Sequence, residues 1–190
     1  MSPEQAVLYS ILVPFIGSAL ITLSGSNPNL REAVTLITGA VLFYLVSGIY
    51  PTIAAGTQIS VSLFEMLPGL GIVFTVEPLG MIFAAIASFL WIVTSIYSIG
   101  YMRGHGEENQ TRFYAFFAIA IGAAIGIAFA GNMLTLFVFY EVLTLSTFPL
   151  VAHHGTDEAR RAGRVYLGIL LGTSIAFQLA AIIWTWALVE

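Results

Sequence analysis

The 190 residues are 58% hydrophobic and 8% charged, with a mean hydropathy of +0.94, whereas a soluble domain carries about a quarter charged residues. That composition excludes a soluble globular domain and identifies a membrane protein. A net charge of −4 excludes a basic nucleic-acid surface, and the lack of cysteine excludes disulfides, thiolate catalysis and Cys-ligated zinc or iron–sulfur clusters.

The N-terminal Met-Ser-Pro-Glu-Gln has neither the basic region nor the small-residue cleavage site of a signal peptide, so the first apolar segment is expected to be retained. Six apolar segments follow, at about 6–23, 33–50, 79–99, 113–130, 133–152 and 165–189. Each is about as long as a membrane-crossing helix, and only the fifth contains a charge. The expected fold is an all-α membrane protein, residues 1–190 forming one domain of six transmembrane helices.

All six basic residues are arginines: Arg31, Arg103, Arg112, Arg160, Arg161 and Arg164. In a six-crossing arrangement they fall on one side, in the first, third and fifth connections. The positive-inside rule makes that side cytoplasmic and places both termini outside. The one long connection, Thr52–Val76, alternates Ile59, Val61 and Leu63 with Ser60 and Ser62. Pro68-Gly-Leu-Gly71 can turn the chain, and 72–76 can return as a second strand, giving an external β-hairpin. Glu77-Pro78 then opens the third helix, with proline in the first turn and an acid at the positive end of the dipole.

Small residues recur every fourth position in the fourth segment (Ala118, Gly122, Gly126, Ala130) and the sixth (Gly168, Gly172, Ala176, Ala180). Such lines let helix backbones approach closely in lipid. They predict helices four and six packed together with helix five beside both.

The fifth segment carries the candidate chemistry. Glu141 falls near its middle, where a lone acid costs roughly 2.5–3.5 kcal/mol on insertion scales. The acid either works in an ion path or stays protonated and hydrogen-bonds a neighbouring helix. Thr144 and Thr147 lie on a similar side, and Pro149 removes the amide that would bond the Leu145 carbonyl. Together they suggest a hydrated half-path to Glu141; the alternative is a proline kink with threonines bonded to their own helix. His153 and His154 stand at the membrane surface, where they can collect protons; adjacent side chains diverge, and no metal site is expected. Thr156 suits the N-cap of the sixth helix, with Asp157 and Glu158 in its first turn. Thr173, Ser174 and Gln178 form a second mid-membrane polar cluster, able to line the same interior or to join helices by hydrogen bonds.

Glu77-Pro-Leu-Gly80, Leu136-Phe-Val-Phe-Tyr-Glu141 running to Ala152-His-His, and Ala162-Gly-Arg-Val-Tyr-Leu167 resemble the N-terminal part of the antiporter-like subunits of Mrp-type sodium/proton antiporters and respiratory complex I, nearest the Mrp D-type subunit. The resemblance implies a subunit of a multi-subunit monovalent cation/proton antiporter in the cell (inner) membrane. It further implies a transporter subunit rather than an enzyme, with no cofactor expected. In that family the helix-five glutamate pairs with a lysine on helix seven in proton translocation, a role that passes to Glu141. Family members have about fourteen helices, while six segments and no lysine are present here. The expected partners are therefore other antiporter subunits, one supplying the later helices and lysines, with protons, Na+ and lipid but no nucleic acid. The alternative is a non-pumping scaffold subunit.

Overall fold

The computed structural model describes residues 1–67 and 69–189. Pro68, the first residue of the expected turn, and Glu190 lie outside the described residues. Helices α1 (Pro3–Leu23), α2 (Pro28–Ala54), α3 (Pro78–Gly104), α4 (Gln110–Ala128) and α5 (Met133–Val151) are followed by a sixth span. That last span, 157–188, runs as α6 (Asp157–Thr173), a π turn (Ser174–Leu179) and α7 (Ala180–Val189). Six long apolar stretches are thus helical, each long enough to cross a bilayer.

The helix starts follow local chemistry. Ser2 and Gln5 form a reciprocal capping box at α1. Asn27 caps α2 ahead of Pro28, and Pro78 opens α3 at its first position. Thr156 accepts from Ala159 N–H at 3.1 Å, so α6 begins eight residues before the apolar segment does. Its first two turns carry the charges, which is why hydropathy alone placed the start at 165. In α2, hydropathy stopped at Tyr50, but Pro51 continues the helix to Ala54.

Strands β1 (Ile59–Leu67) and β2 (Leu70–Val76) form an antiparallel hairpin, pairing Ile59 with Val76 and Ser62 with Val73. The register shifts twice before the turn, between Ser62 and Phe64 and between Glu65 and Leu67. β2 also bonds the α4–α5 connection: Thr75 N–H donates to the Phe129 carbonyl and Gly131 N–H to the Val73 carbonyl, both at 2.8 Å. Asn132, the N-cap of α5, donates to the Gly71 carbonyl, and Thr135 accepts from Val73 N–H. The hairpin therefore fixes the start of α5.

Helices α1–α4 form the main bundle, around Trp91, Tyr114, Phe74 and Phe129. α5 packs along α4 and α6 along α5. The packing of α4 directly on α6, expected from their small residues, is not what the chain adopts: α5 lies between them. A side chain at Gly122 would meet Phe15 and Pro14 of α1, and one at Gly126 would overlap the Phe139 ring of α5. Gly168 and Gly172 face open space among the described residues.

Candidate functional site

Glu141 sits one residue from the midpoint of α5 and is half-buried. Its Oε1 accepts a hydrogen bond from the Ser174 hydroxyl. Ser174 is itself buried and is the first residue of the π turn. π turns insert an extra residue into a helix and recur at functional sites. Glu141 Oε2 is buried with no hydrogen-bond partner among the described residues. A carboxylate can accept about four hydrogen bonds, so this group retains unused capacity.

Toward the His153 end of α5, Thr147 donates to the Thr144 carbonyl at 2.9 Å and lies 3.2 Å from the Tyr166 hydroxyl of α6. One proton per hydroxyl fixes the order: Thr147 gives its proton to Thr144, so Tyr166 donates to Thr147. The threonine is thus bonded to its own helix, as in the simpler of the two expectations, and also joined to α6. Thr144 is buried. Gln178 is half-buried within the π turn, whereas Thr173 is exposed and bonds its own helix.

His153 and His154 border a cleft of about 230 Å³ with His105, Glu107, Glu108 and Asn109. The His153 carbonyl accepts from Arg112 at 2.7 Å. Both its ring nitrogens are buried without a partner among the described residues, and Phe113 lies edge-on at 5.7 Å. Burial lowers the His153 pKa below the usual imidazole value; Arg112 and His154 add to this and Glu107 opposes it. Among the described residues no cluster of three or more potential ligands could hold a metal. No hydrogen-bond chain among them joins His153 to Thr147 or Glu141.

Three features of this end escaped the sequence reading. Glu32 of α2 is buried and receives Arg103 of α3 through two bonds, 2.9 Å and 2.5 Å. Arg31, also buried, donates to Gln110 and Thr111 of α4, and its guanidinium lies 5.3 Å from the Tyr114 ring centre. Tyr166 completes the set. Glu32 and Arg103 are 71 positions apart, and only the adjacency of an acid to the second apolar segment hinted at its role. Nothing in Thr173–Leu179 signals a π turn.

Residues 69–114 match the family model for the N-terminus of chain 5 of NADH-ubiquinone oxidoreductase (complex I). The chain is 30% identical over 172 residues to the A/B subunit of a probable K(+)/H(+) antiporter of Rhizobium meliloti, covering 87% of this chain and 17% of that protein. It is 24% identical to the D-type subunit of the Na(+)/H(+) antiporter of Alkalihalophilus pseudofirmus (92% and 35% covered). It is 27% identical to the N-type subunit of the NADH-quinone oxidoreductase of Desulforudis audaxviator (90% and 30%). The chain thus spans about a third or less of these relatives. A chain of the membrane-bound sulfane sulfur reductase, an archaeal respiratory membrane complex, superposes with a TM-score of 0.74 at 18% identity, covering 86% of this chain and 33% of that one. That likeness is one of fold.

Proposed function

We propose that this chain, a multi-pass membrane homologue of the antiporter-like subunits of Na+/H+ antiporters and complex I, is a proton-path subunit of a multi-subunit monovalent cation/proton antiporter. Glu141 is its proton-binding group. One observation carries the reading: a carboxyl at mid-span, held by Ser174 through one oxygen, keeps its other oxygen buried and without a partner among the described residues. Leaving a buried acceptor unpaired costs about 1–3 kcal/mol, so the open oxygen is the natural place for a proton or a further donor.

The surroundings support it. Only 17% and 11% of the fifth and sixth spans are buried, against 33–44% of the first four. The chemistry thus lies on the least covered side of the bundle, where further helices, on this chain's continuation or on another chain, can bring a cation to Glu141. A nearby cation favours the carboxylate; its withdrawal, or dehydration, favours the acid. Alternation of the two moves a proton. Thr144, Thr147 and Tyr166 lie toward the arginine-bearing end, which the positive-inside rule makes cytoplasmic. His154, exposed at that end, stands as a proton collector beside His153, whose buried ring favours the neutral form, and Gln178 follows Ser174 by one turn of the sixth span. The exchanged cation is monovalent, as are the K+ and Na+ in the names of the relatives.

The Glu141–Ser174 bond also suits a scaffold in which the acid stays neutral, and one substitution separates the two. Glu141→Gln keeps the size of the side chain but cannot ionise. It should abolish cation/proton exchange in vesicles while leaving the complex assembled, and Glu141→Asp should retain part of the activity. Full exchange by an assembled Glu141→Gln complex would leave only the scaffold reading.

A further inference from the structure

Resting on that reading of Glu141, we propose that Ser174 is a positioning residue whose hydroxyl reverses its hydrogen bond with the protonation state of the acid, coupling Glu141 to the π turn of the sixth span. The Ser174 oxygen lies within bonding distance of two acceptors, Glu141 Oε1 and the Leu171 carbonyl, the latter at 3.1 Å. A hydroxyl has one proton to give, so the two acceptors compete. When Glu141 is ionised, the carboxylate takes that proton, because a charged acceptor makes a bond about twice as strong as a neutral one. When Glu141 is protonated, its own O–H donates to the serine oxygen, and the serine turns its proton to Leu171. Ser174 keeps one O–H in both states; it transfers nothing and reports everything.

The second acceptor belongs to the junction between α6 and the π turn. The Ser174 backbone N–H is shared between the carbonyls of Leu170 and Leu171. A side-chain proton arriving at Leu171 therefore adds a second donor to a carbonyl that already accepts from the backbone, at the place where the helix changes its winding. Gain or loss of the Glu141 proton thus reaches the backbone of the sixth span.

No other charge on the neighbouring elements competes for the acid. Glu141 is in no ion pair among the described residues. The one charged residue of α4, Arg112, is at its start, bonded to the His153 carbonyl. Asp157, Glu158, Arg160, Arg161 and Arg164 occupy the first turns of α6, at least ten residues, or about 15 Å of helix, before Ser174. Tyr166 is committed to Thr147, Tyr140 is the acid's own chain neighbour, and β2 has no titratable residue. Since Oε2 has no partner, Ser174 is the sole hydrogen-bond donor to the acid among the described residues.

The test is a pH titration of the protonated-carboxyl stretch by infrared difference spectroscopy, on the assembled complex in liposomes. The Glu141 band is identified by its loss in Glu141→Gln. Thr and Val are nearly isosteric and differ in the hydroxyl, so Ser174→Thr and Ser174→Val are compared. The threonine variant should titrate with the wild type. The valine variant should titrate about one pH unit higher, a tenfold gain in proton affinity, because the ionised form loses a stronger hydrogen bond than the protonated form does. Equal midpoints for the two would overturn the role of Ser174 while leaving Glu141 as a proton carrier. A carboxyl band that never titrates would overturn both. If the valine variant fails to assemble, the wild type decides: its band must lie at the frequency of an acid donating a hydrogen bond, and the free-acid frequency would refute the reversal.

Discussion

Single residues at the arginine end show how buried charge is managed in a chain that has so little of it. Glu32 holds Arg103 from another helix and lies 3.4 Å from Arg31. Removing Glu32 leaves the buried Arg31 without its neighbouring carboxylate and the exposed Arg103 without its partner. Glu32→Gln should therefore lower the thermal midpoint of the detergent-solubilised protein, and an unchanged midpoint would show the cluster to be solvated. His153 makes a separate, pH-dependent contribution. Its depressed pKa means that the folded state prefers the neutral ring. The unfolded state takes up its proton first, near pH 6.5. The stability is present above that value and falls as pH drops toward the lower folded value. His153→Gln should flatten the decline in thermal midpoint between about pH 7 and 5; an unchanged decline would assign it to other groups.

At the scale of the helix, the glycines divide into two kinds that the sequence presents as one. A Cβ on Gly126 would overlap the Phe139 ring, and one on Gly80 would overlap the Ala128 carbonyl oxygen. The second contact is with backbone, which cannot turn aside as a side chain can, and it gives Glu77-Pro-Leu-Gly80 a physical meaning: proline starts α3 and glycine lets it meet the end of α4. Gly168 and Gly172 meet nothing within 4 Å. Gly80→Ala and Gly126→Leu should each reduce the yield of folded chain, whereas Gly172→Leu should leave this chain's fold intact and lower only the recovery of a larger complex. Loss of the fold in Gly172→Leu would place an unseen contact on that face. Spacing revealed both lines because helix periodicity is local. It could not reveal which line has a neighbour, since that depends on α5 coming between α4 and α6. The site divides in the same way. Glu141 and Ser174 were each visible as polar residues at mid-span, but their bond joins positions 33 apart and depends on a π turn with no compositional mark.

Over the whole molecule, the bonding separates two ends that hydropathy only orders. The hairpin end gathers β1, β2, the α4–α5 connection and the Asn132 cap. The opposite end gathers Arg31, Glu32, Arg103, Arg112 and His153. Six crossings were legible because each span is a continuous apolar run, and the hairpin because its strands alternate with period two. Charge alone predicts which end faces the cytoplasm: the helix ends flanking three connections carry all six arginines, and cytoplasmic retention of basic segments sets orientation. The chain has no cysteine, so each introduced thiol is a clean reporter. Ser62→Cys in β1 and Glu108→Cys between α3 and α4 replace exposed side chains at opposite ends, neither in a left-handed backbone position. In intact cells an impermeant maleimide should label the first, and the second only after the membrane is opened. The odd number of crossings between them, α3 alone, makes the result decisive. Labelling of both from one side would mean that α3 does not cross, and the arginines would then be divided between the two faces. Labelling of Glu108→Cys alone from outside would keep six crossings but invert the orientation, placing the histidine end of the proposed proton path on the external face.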